Sequence, residues 1–286
     1  MKNILFYKYT NVNRLKKLQE ELLSKSKSLG LLGKILIAKE GVNGCVSGKD
    51  EDIKKIKDYI TLKFGKVEFK ESKVLKHTFK KMFVRIRDEI ISTHYKSNLE
   101  NKAEYIEPKE LKKLLDSKDE VIMVDARNAY ESEIGRFENA ITPKIDVFSE
   151  WPKAVSKLGK NKEKLIVTYC TGGVRCEKAS AYMVEQGFTN VKQLHGGIIR
   201  YGKTVGVDHW EGKCFVFDHR GAVSINEEEP KLISQCAICH IPSDNQENCA
   251  KVECDKFFVV CEKCYAKFDN CCSRRCKNEI QRIEIK

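Results

Sequence analysis

A short apolar run, Leu165-Ile166-Val167-Thr168-Tyr169, leads directly into Cys170-Thr171-Gly172-Gly173-Val174-Arg175-Cys176, and a helix-compatible stretch from Glu177 to Gln186 follows at once. Strand, short glycine-bearing loop and helix in that order make a βα unit, which needs a parallel sheet to pair in. The loop then lies at the carboxyl end of a strand, where successive backbone N–H groups and a helix N-terminus can hold an anion. A cysteine at that position, with Arg175 close by, is expected to have a depressed pKa and to act as a nucleophile. The competing reading is a buried strand-end cysteine in an ordinary βα turn.

The neighbouring sequence and the loop spacing separate these readings. Only four residues lie between Cys170 and Arg175. The C-x5-R loop of cysteine phosphatases is one residue longer and wraps a phosphate, whereas the tighter cradle suits a single sulfur atom carried as a persulfide. Upstream, Glu120 to Arg127 reads as a buried strand ending in a charged pair, followed by Glu131, Gly135-Arg136-Phe137 and Asn139-Ala140-Ile141; downstream, Asn190 to Leu194 reads as another strand, closed by His195-Gly196-Gly197-Ile198. Together these segments resemble a rhodanese domain over roughly Leu111 to Val207. By that resemblance Cys170 carries the persulfide and Thr171, Gly172, Gly173, Val174 and Arg175 cradle it, while Asp125 and Arg127 are expected to brace the fold. Gly135-Arg136-Phe137 stands where many rhodaneses have Gly-His-Ile, a change expected on a surface turn.

At 286 residues the chain is long enough for two or three domains. It shows no N-terminal apolar segment of the secretory type and no apolar run of membrane length, so a soluble, cytoplasmic protein with no membrane partner is expected. Residues 1–100 hold 23 Lys and Arg against 12 Asp and Glu, nearly the whole net charge of +12. A positive balance confined to one domain is the footprint of a polyanion binder; Lys-rich solvated faces are the plainer explanation. The same third reads as strand Asn3 to Tyr9, a helix after Asn13 with Leu15, Leu18, Leu22 and Leu29 on one face, and strand Lys34 to Lys39. A turn Glu40 to Gly44, strand Cys45 to Ser47, a helix Asp50 to Phe64 burying Ile53, Ile56, Ile60 and Phe64, and a fourth strand from Val67 complete it. That β-α-β-β-α-β order is the ferredoxin-like layout. The run His77 to Arg87 interleaves aromatics with cations, making Lys80, Lys81, Arg85 and Arg87 candidate RNA contacts; an edge strand with its cations outward is the alternative.

Nine of the thirteen cysteines fall between Cys236 and Cys276. Cys236-x2-Cys239 and Cys261-x2-Cys264 are spaced as zinc ligands, and Cys249, Cys254, Cys271, Cys272 and Cys276 complete the candidate set for one site or two, with one thiol left over. His240 is a weaker competing ligand. Structural zinc would let a short, core-poor tail fold.

The fold class expected is thus α/β: a basic ferredoxin-like α+β domain (1–95), a linker (96–110), a central rhodanese α/β/α domain with a parallel sheet (111–213) and a small Cys-rich zinc-binding region (214–286). Over nearly its full length the chain resembles the tRNA uridine hydroxylases that carry a central rhodanese domain. The resemblance rests on Ala38-Lys39-Glu40-Gly41-Val42-Asn43-Gly44, on Tyr169 to Ala179, and on Asn248-Cys249 and Cys271-Cys272-Ser273. It implies tRNA as partner and conversion of the wobble uridine to 5-hydroxyuridine, with molecular oxygen as co-substrate. No flavin or haem motif and no G-x-G-x-x-G loop is present. Cys176 can then act as a resolving thiol for Cys170, or only pack. Two other classes stay open: a sulfurtransferase working through a Cys170 persulfide, which needs no basic domain, and a non-catalytic zinc and RNA adaptor, which would tolerate loss of Cys170.

Overall fold

The computed structural model describes residues 1–117, 119–228 and 230–284. Strand β1 (Lys2–Tyr9), helix α1 (Leu15–Ser28), strands β2 (Leu32–Ala38) and β3 (Gly41–Gly48), helix α2 (Asp50–Phe64) and strands β4 (Glu68–Lys73) and β5 (Met82–Ile86) form the first unit. Its sheet runs β4-β1-β3-β2-β5, antiparallel except for the last pair. The first four strands have the ferredoxin-like order expected; β5 adds an edge strand parallel to β2. Helices α1 and α2 cover one face, burying Leu22, Ile53, Ile56 and Ile60 against Ile4, Phe6, Ile35 and Ile37. Two local details differ from the sequence reading. Strand β3 begins at Gly41, four residues early, because Ala38 pairs with Gly41 across a two-residue turn. Gly41 sits at φ +150°, and a Cβ there would lie 2.1 Å from the Lys8 carbonyl oxygen. Arg14, in the left-handed region, rather than Asn13 precedes α1, and its side chain makes no cap.

The central unit contains β6 (Glu104–Ile106), α3 (Pro108–Asp116), β7 (Val121–Asp125), α4 (Ala129–Ile134), β8 (Gly135–Phe137), α5 (Trp151–Lys157), β9 (Leu165–Tyr169), α6 (Val174–Glu185), β10 (Val191–Leu194) and α7 (Gly197–Thr204). Strands β6-β10-β9-β7 form a wholly parallel sheet. Helices α5 and α6 pack on one face and α3 and α7 on the other, the two-sided cover that parallel sheets require. Residues 96–110, read as a linker, supply β6 and the start of α3: Ile106 is fully buried and Leu194 pairs with it, so three residues suffice for an edge strand. Gly135-Arg136-Phe137 is not a surface turn. Phe137 is fully buried, with its ring edge-on to Tyr169 and Tyr201 (4.8 Å each) and Trp210 (5.3 Å).

The remainder is built from small pieces: β11 (Trp210–Gly212) pairing back onto β8, the hairpin β12 (Cys214–Phe215) and β13 (Ala222–Val223), the hairpin β14 (Gln246–Asn248) and β15 (Phe257–Val259), and helices α8 (Glu262–Lys267) and α9 (Arg274–Glu284). The tail's interior is largely thiol, with Cys236, Cys249, Cys264, Cys271 and Cys276 buried around Phe258 and Val260. No described helix is long and apolar enough to cross a membrane.

Candidate active site

Cys170 sits at the carboxyl end of β9, between its two neighbours in the sheet, and is fully buried at the floor of a cleft of about 1150 Å³. Gly173 N–H donates to its Sγ at 3.1 Å. The Gly196-Gly197 pair closes the loop from behind: Ile198 N–H donates to the Cys170 carbonyl (3.0 Å) and Ile199 N–H to that of Thr171 (3.1 Å). Gly197 is at φ +66°, and a Cβ there would stand 2.4 Å from the Cys170 oxygen, so a residue with a side chain would push the loop open.

The electrostatics favour a thiolate. Burial by itself pushes the Cys170 thiol up, but the Cys176 thiol donating to it, the Arg175 charge and the backbone N–H groups of Arg175 and Gly173 outweigh burial and bring it down to about 5. Cys176 moves the opposite way, well above the ordinary range, through its own burial and its bond to Cys170. One negative charge is therefore held on the pair, and it resides on Cys170.

Arg175 does not point at the sulfur. Its guanidinium is clamped by Glu131, Nη1 to Oε1 at 2.5 Å and Nη2 to Oε2 at 2.8 Å, with both groups buried. Glu131 is in turn fixed by accepting from Asn128 N–H (3.1 Å) in the capping box that starts α4. Removing one partner of such a buried pair costs about 3–5 kcal/mol. Asp125 and Arg127 sit below the loop, fully buried, paired to each other at 2.6 Å, with Arg127 also donating to the Gly135 carbonyl at 2.6 Å. Neither of them lines the cleft.

The opposite wall of the cleft is the uncovered face of the first sheet, including Leu5, Tyr7, Lys34, Leu36, Asn43 and Lys70, and a third side is formed by Val216 to Arg220. Tyr7 donates to Glu177 at 3.0 Å, and the Lys70 ammonium lies 5.1 Å from the Tyr7 ring centroid. Burial lowers the Lys70 pKa, opposed by Glu68 and Cys170. The Lys34 pKa is lowered by desolvation and by the like charges of Arg85 and Arg87. Of the candidate RNA contacts, none lines the cleft itself; Arg85, on the strand beside β2, and Arg87 are near enough to Lys34, which does line it, for their charges to act on it. Lys80 and Lys81 are exposed but do not line the cleft. On β5, Met82 and Val84 turn inward while Phe83 and Arg85 are exposed, so the edge-strand reading and the basic-face reading describe the same strand. Sequence reasoning missed Tyr7, Lys34 and Lys70, and named Glu131 without its partner Arg175. The period-2 alternation of β1, β2 and β4 was the signal for the first three, but it does not say what the uncovered face meets.

The nine tail cysteines divide into two groups of four, Cys236, Cys239, Cys261, Cys264 and Cys249, Cys254, Cys272, Cys276, each with its sulfurs within 4.8 Å of one another. Cys271 is the thiol left over, and His240 belongs to neither group. The separations Cys239–Cys261 (3.7 Å), Cys254–Cys272 (3.7 Å) and Cys272–Cys276 (3.8 Å) match the edge of a sulfur tetrahedron about 2.3 Å from its centre, which is about 3.8 Å. Both groups are therefore shaped to hold a tetrahedral metal ion.

Family models match in three consecutive blocks: a UPF0176 acylphosphatase-like domain over residues 1–90, a rhodanese-like domain over 107–203 and a rhodanese C-terminal region over 211–277. A Cytophaga hutchinsonii protein named tRNA uridine(34) hydroxylase is 40% identical over 96% of this chain and 89% of its own length. The chain belongs to the tRNA uridine(34) hydroxylase family. A Bacillus cytotoxicus member is 39% identical over 96% of this chain and 87% of its own. Among solved structures, a Bacillus halodurans protein is similar at 29% identity over 38% of this chain and 77% of its own, with a TM-score of 0.32.

Proposed function

We propose that this protein hydroxylates C5 of the wobble uridine of tRNA with molecular oxygen, giving 5-hydroxyuridine, with Cys170 as the reacting thiolate and Cys176 as the resolving thiol. The observation that carries this reading is the shared cleft: the Cys170 loop forms its floor and the basic sheet of the first unit forms its wall. A base is presented to chemistry only when it leaves its stack and enters a pocket, and Lys34 in the cleft lining, with Arg85 and Arg87 near it, would hold the phosphates on either side. The Thr171 to Arg175 loop, with its N–H groups aimed inward, keeps the sulfur anionic at neutral pH.

The electron balance assigns Cys176 its part. Uridine, O2, a thiolate, a thiol and one proton from solvent balance as 5-hydroxyuridine, water and a disulfide, so a Cys170–Cys176 pair would supply both electrons and one of the two protons with which the second oxygen atom leaves as water. An external thiol reductant then restores the pair. The two cysteine groups of the tail would each hold a structural zinc ion, since four thiolates and no further ligand leave no open position for substrate. The tRNA substrate sets the working compartment as the cytoplasm. A sulfurtransferase would need only the Cys170 loop; the basic sheet face across the cleft favours the RNA reading.

Nucleoside mass spectrometry on tRNA from cells lacking the protein tests this. Wild type should restore 5-hydroxyuridine-derived wobble nucleosides and Cys170→Ser should not. An unchanged nucleoside profile in the deletion strain would sink the hydroxylase reading.

A further inference from the structure

Phe217 is a large apolar side chain left open inside the cleft. It is 61% exposed, and Leu62, Leu75, Val147 and Val252, which are also exposed, do not line the cleft. Its surroundings are built rather than incidental. The Arg175 guanidinium stands over its ring, 5.8 Å from the centroid. Phe215 meets it perpendicularly at 4.9 Å and is itself held edge-on by Tyr130 (5.4 Å) and Phe257 (5.4 Å). Tyr130 lies beside Glu131 on α4, and Phe257 comes from β15 between the two cysteine groups. The ring is thus carried on an aromatic support, with a cation over it and 61% of its surface open in the cleft that Cys170 also lines.

We propose that Phe217 is the stacking platform for the target pyrimidine, holding its ring over the Cys170 loop. This rests on the reading of the site as a tRNA uridine hydroxylase and adds the residue that positions the base. An exposed aromatic is suited to the task because every base has a π-face and stacking needs no hydrogen-bond partner. The Arg175 guanidinium above the opposite face adds attraction through the ring quadrupole and limits how far the ring can swing. The same arrangement makes the tail's metal groups matter for the reaction without touching substrate, since Phe257 buttresses Phe215 and hence Phe217.

The test uses the full-length protein and an anticodon stem-loop RNA. Phe217→Ala should lower kcat/KM for uridine hydroxylation about 5- to 150-fold. Phe217→Trp should restore most of it, and Phe217→Leu, which keeps apolar volume but no π-face, should not. Metal content, melting temperature and the rate of Cys170 alkylation should stay at wild-type values in all three, which separates stacking from a structural role. A stem-loop with 2-aminopurine at the target position reads stacking without turnover: its fluorescence should be quenched by wild type and by the Trp variant only. Full activity in Phe217→Leu, or quenching that survives Phe217→Ala, overturns the proposal. If wild type quenches the probe but forms no 5-hydroxyuridine, the hydroxylase reading fails and the stacking platform stands; if it does neither, both fail.

Discussion

Cys176→Ala isolates the interaction that most strongly sustains the Cys170 thiolate. The leading favourable influence on Cys170 is the hydrogen bond from the Cys176 thiol, ahead of the Arg175 charge and the two backbone N–H groups. A hydrogen bond to a charged acceptor is worth about 1.5–3 kcal/mol, and a pKa unit is about 1.4 kcal/mol, so its removal should raise the Cys170 pKa by about 1–2 units, from about 5 toward roughly 6–7. At pH 6 the wild-type thiol is then roughly nine-tenths ionised and the variant between roughly one-tenth and one-half. Iodoacetamide alkylation of the Cys170 peptide, followed by mass spectrometry from pH 4 to 9, reads this as a shifted midpoint. Cys45 and Cys214 are pushed up to about 12 by burial and do not interfere in that range. Cys176→Ser retains a donor and should stay near wild type. The sign for stability follows from the same shift: the folded pKa lies below the unfolded value of about 8.5, so the contribution is complete above about 8.5 and disappears as pH falls to about 5. A midpoint in Cys176→Ala within half a unit of wild type would refute the Cys176 thiol as the leading support of the Cys170 thiolate and leave that role to Arg175 and the loop N–H groups.

The metal stoichiometry should be two ions per chain by elemental analysis; Cys264→Ser and Cys276→Ser should each reduce it to about one, and Cys271→Ser should leave it at two. Loss of an ion from Cys271→Ser would show that the ligand partition is wrong. Lys34→Ala and Arg85→Ala should each weaken binding of an anticodon stem-loop and reduce the slope of log K against log salt by about 0.7, whereas an unchanged slope would remove these cations from the RNA path.

What was legible in the sequence was local. The Cys170 loop lies between a strand and a helix that adjoin it in the chain, so apolar run, glycines and helix start were enough to place the thiol at a strand end. The C-x2-C pairs are local in the same sense. Glu131 and Arg175 are 44 positions apart, and their pairing depends on α4 and α6 being brought together across the sheet, which no spacing shows. The ligand partition was hidden for a geometric reason: Cys271 and Cys272 are adjacent, their side chains diverge, and only one can enter a given tetrahedron. Phe137 was misplaced because a Gly-x-Phe segment reads as a turn until β11 arrives, some seventy residues later, to bury it. Nothing in the residues around Phe217 sets it apart, and only the cleft gives its exposure a meaning.

The two segments that carry the family resemblance most strongly, Ala38 to Gly44 and Tyr169 to Ala179, are remote in sequence yet meet in space. Lys178, buried on α6, donates to Glu40 at 2.9 Å and to Glu89 at 2.7 Å. On the same helix, Tyr9 donates to the Val174 carbonyl one turn earlier, at 3.2 Å, and Tyr7 to the carboxylate of the adjacent Glu177. Helix α6 therefore serves both units: its first turn brings Arg175 and Cys176 to the nucleophile, and its other side bolts the basic sheet in place. A buried lysine bridging two carboxylates is costly to desolvate and gains little over an apolar contact in stability; what it supplies here is a fixed direction. With the sheet and the thiolate locked to one helix, the distance between the basic sheet and the sulfur is set in the free protein; on the proposed reading, the binding energy of the RNA loop would then go into holding one base over Cys170 rather than into assembling the site. Glu40 belongs to this machinery as much as the cysteine loop does, although it touches neither metal nor cleft.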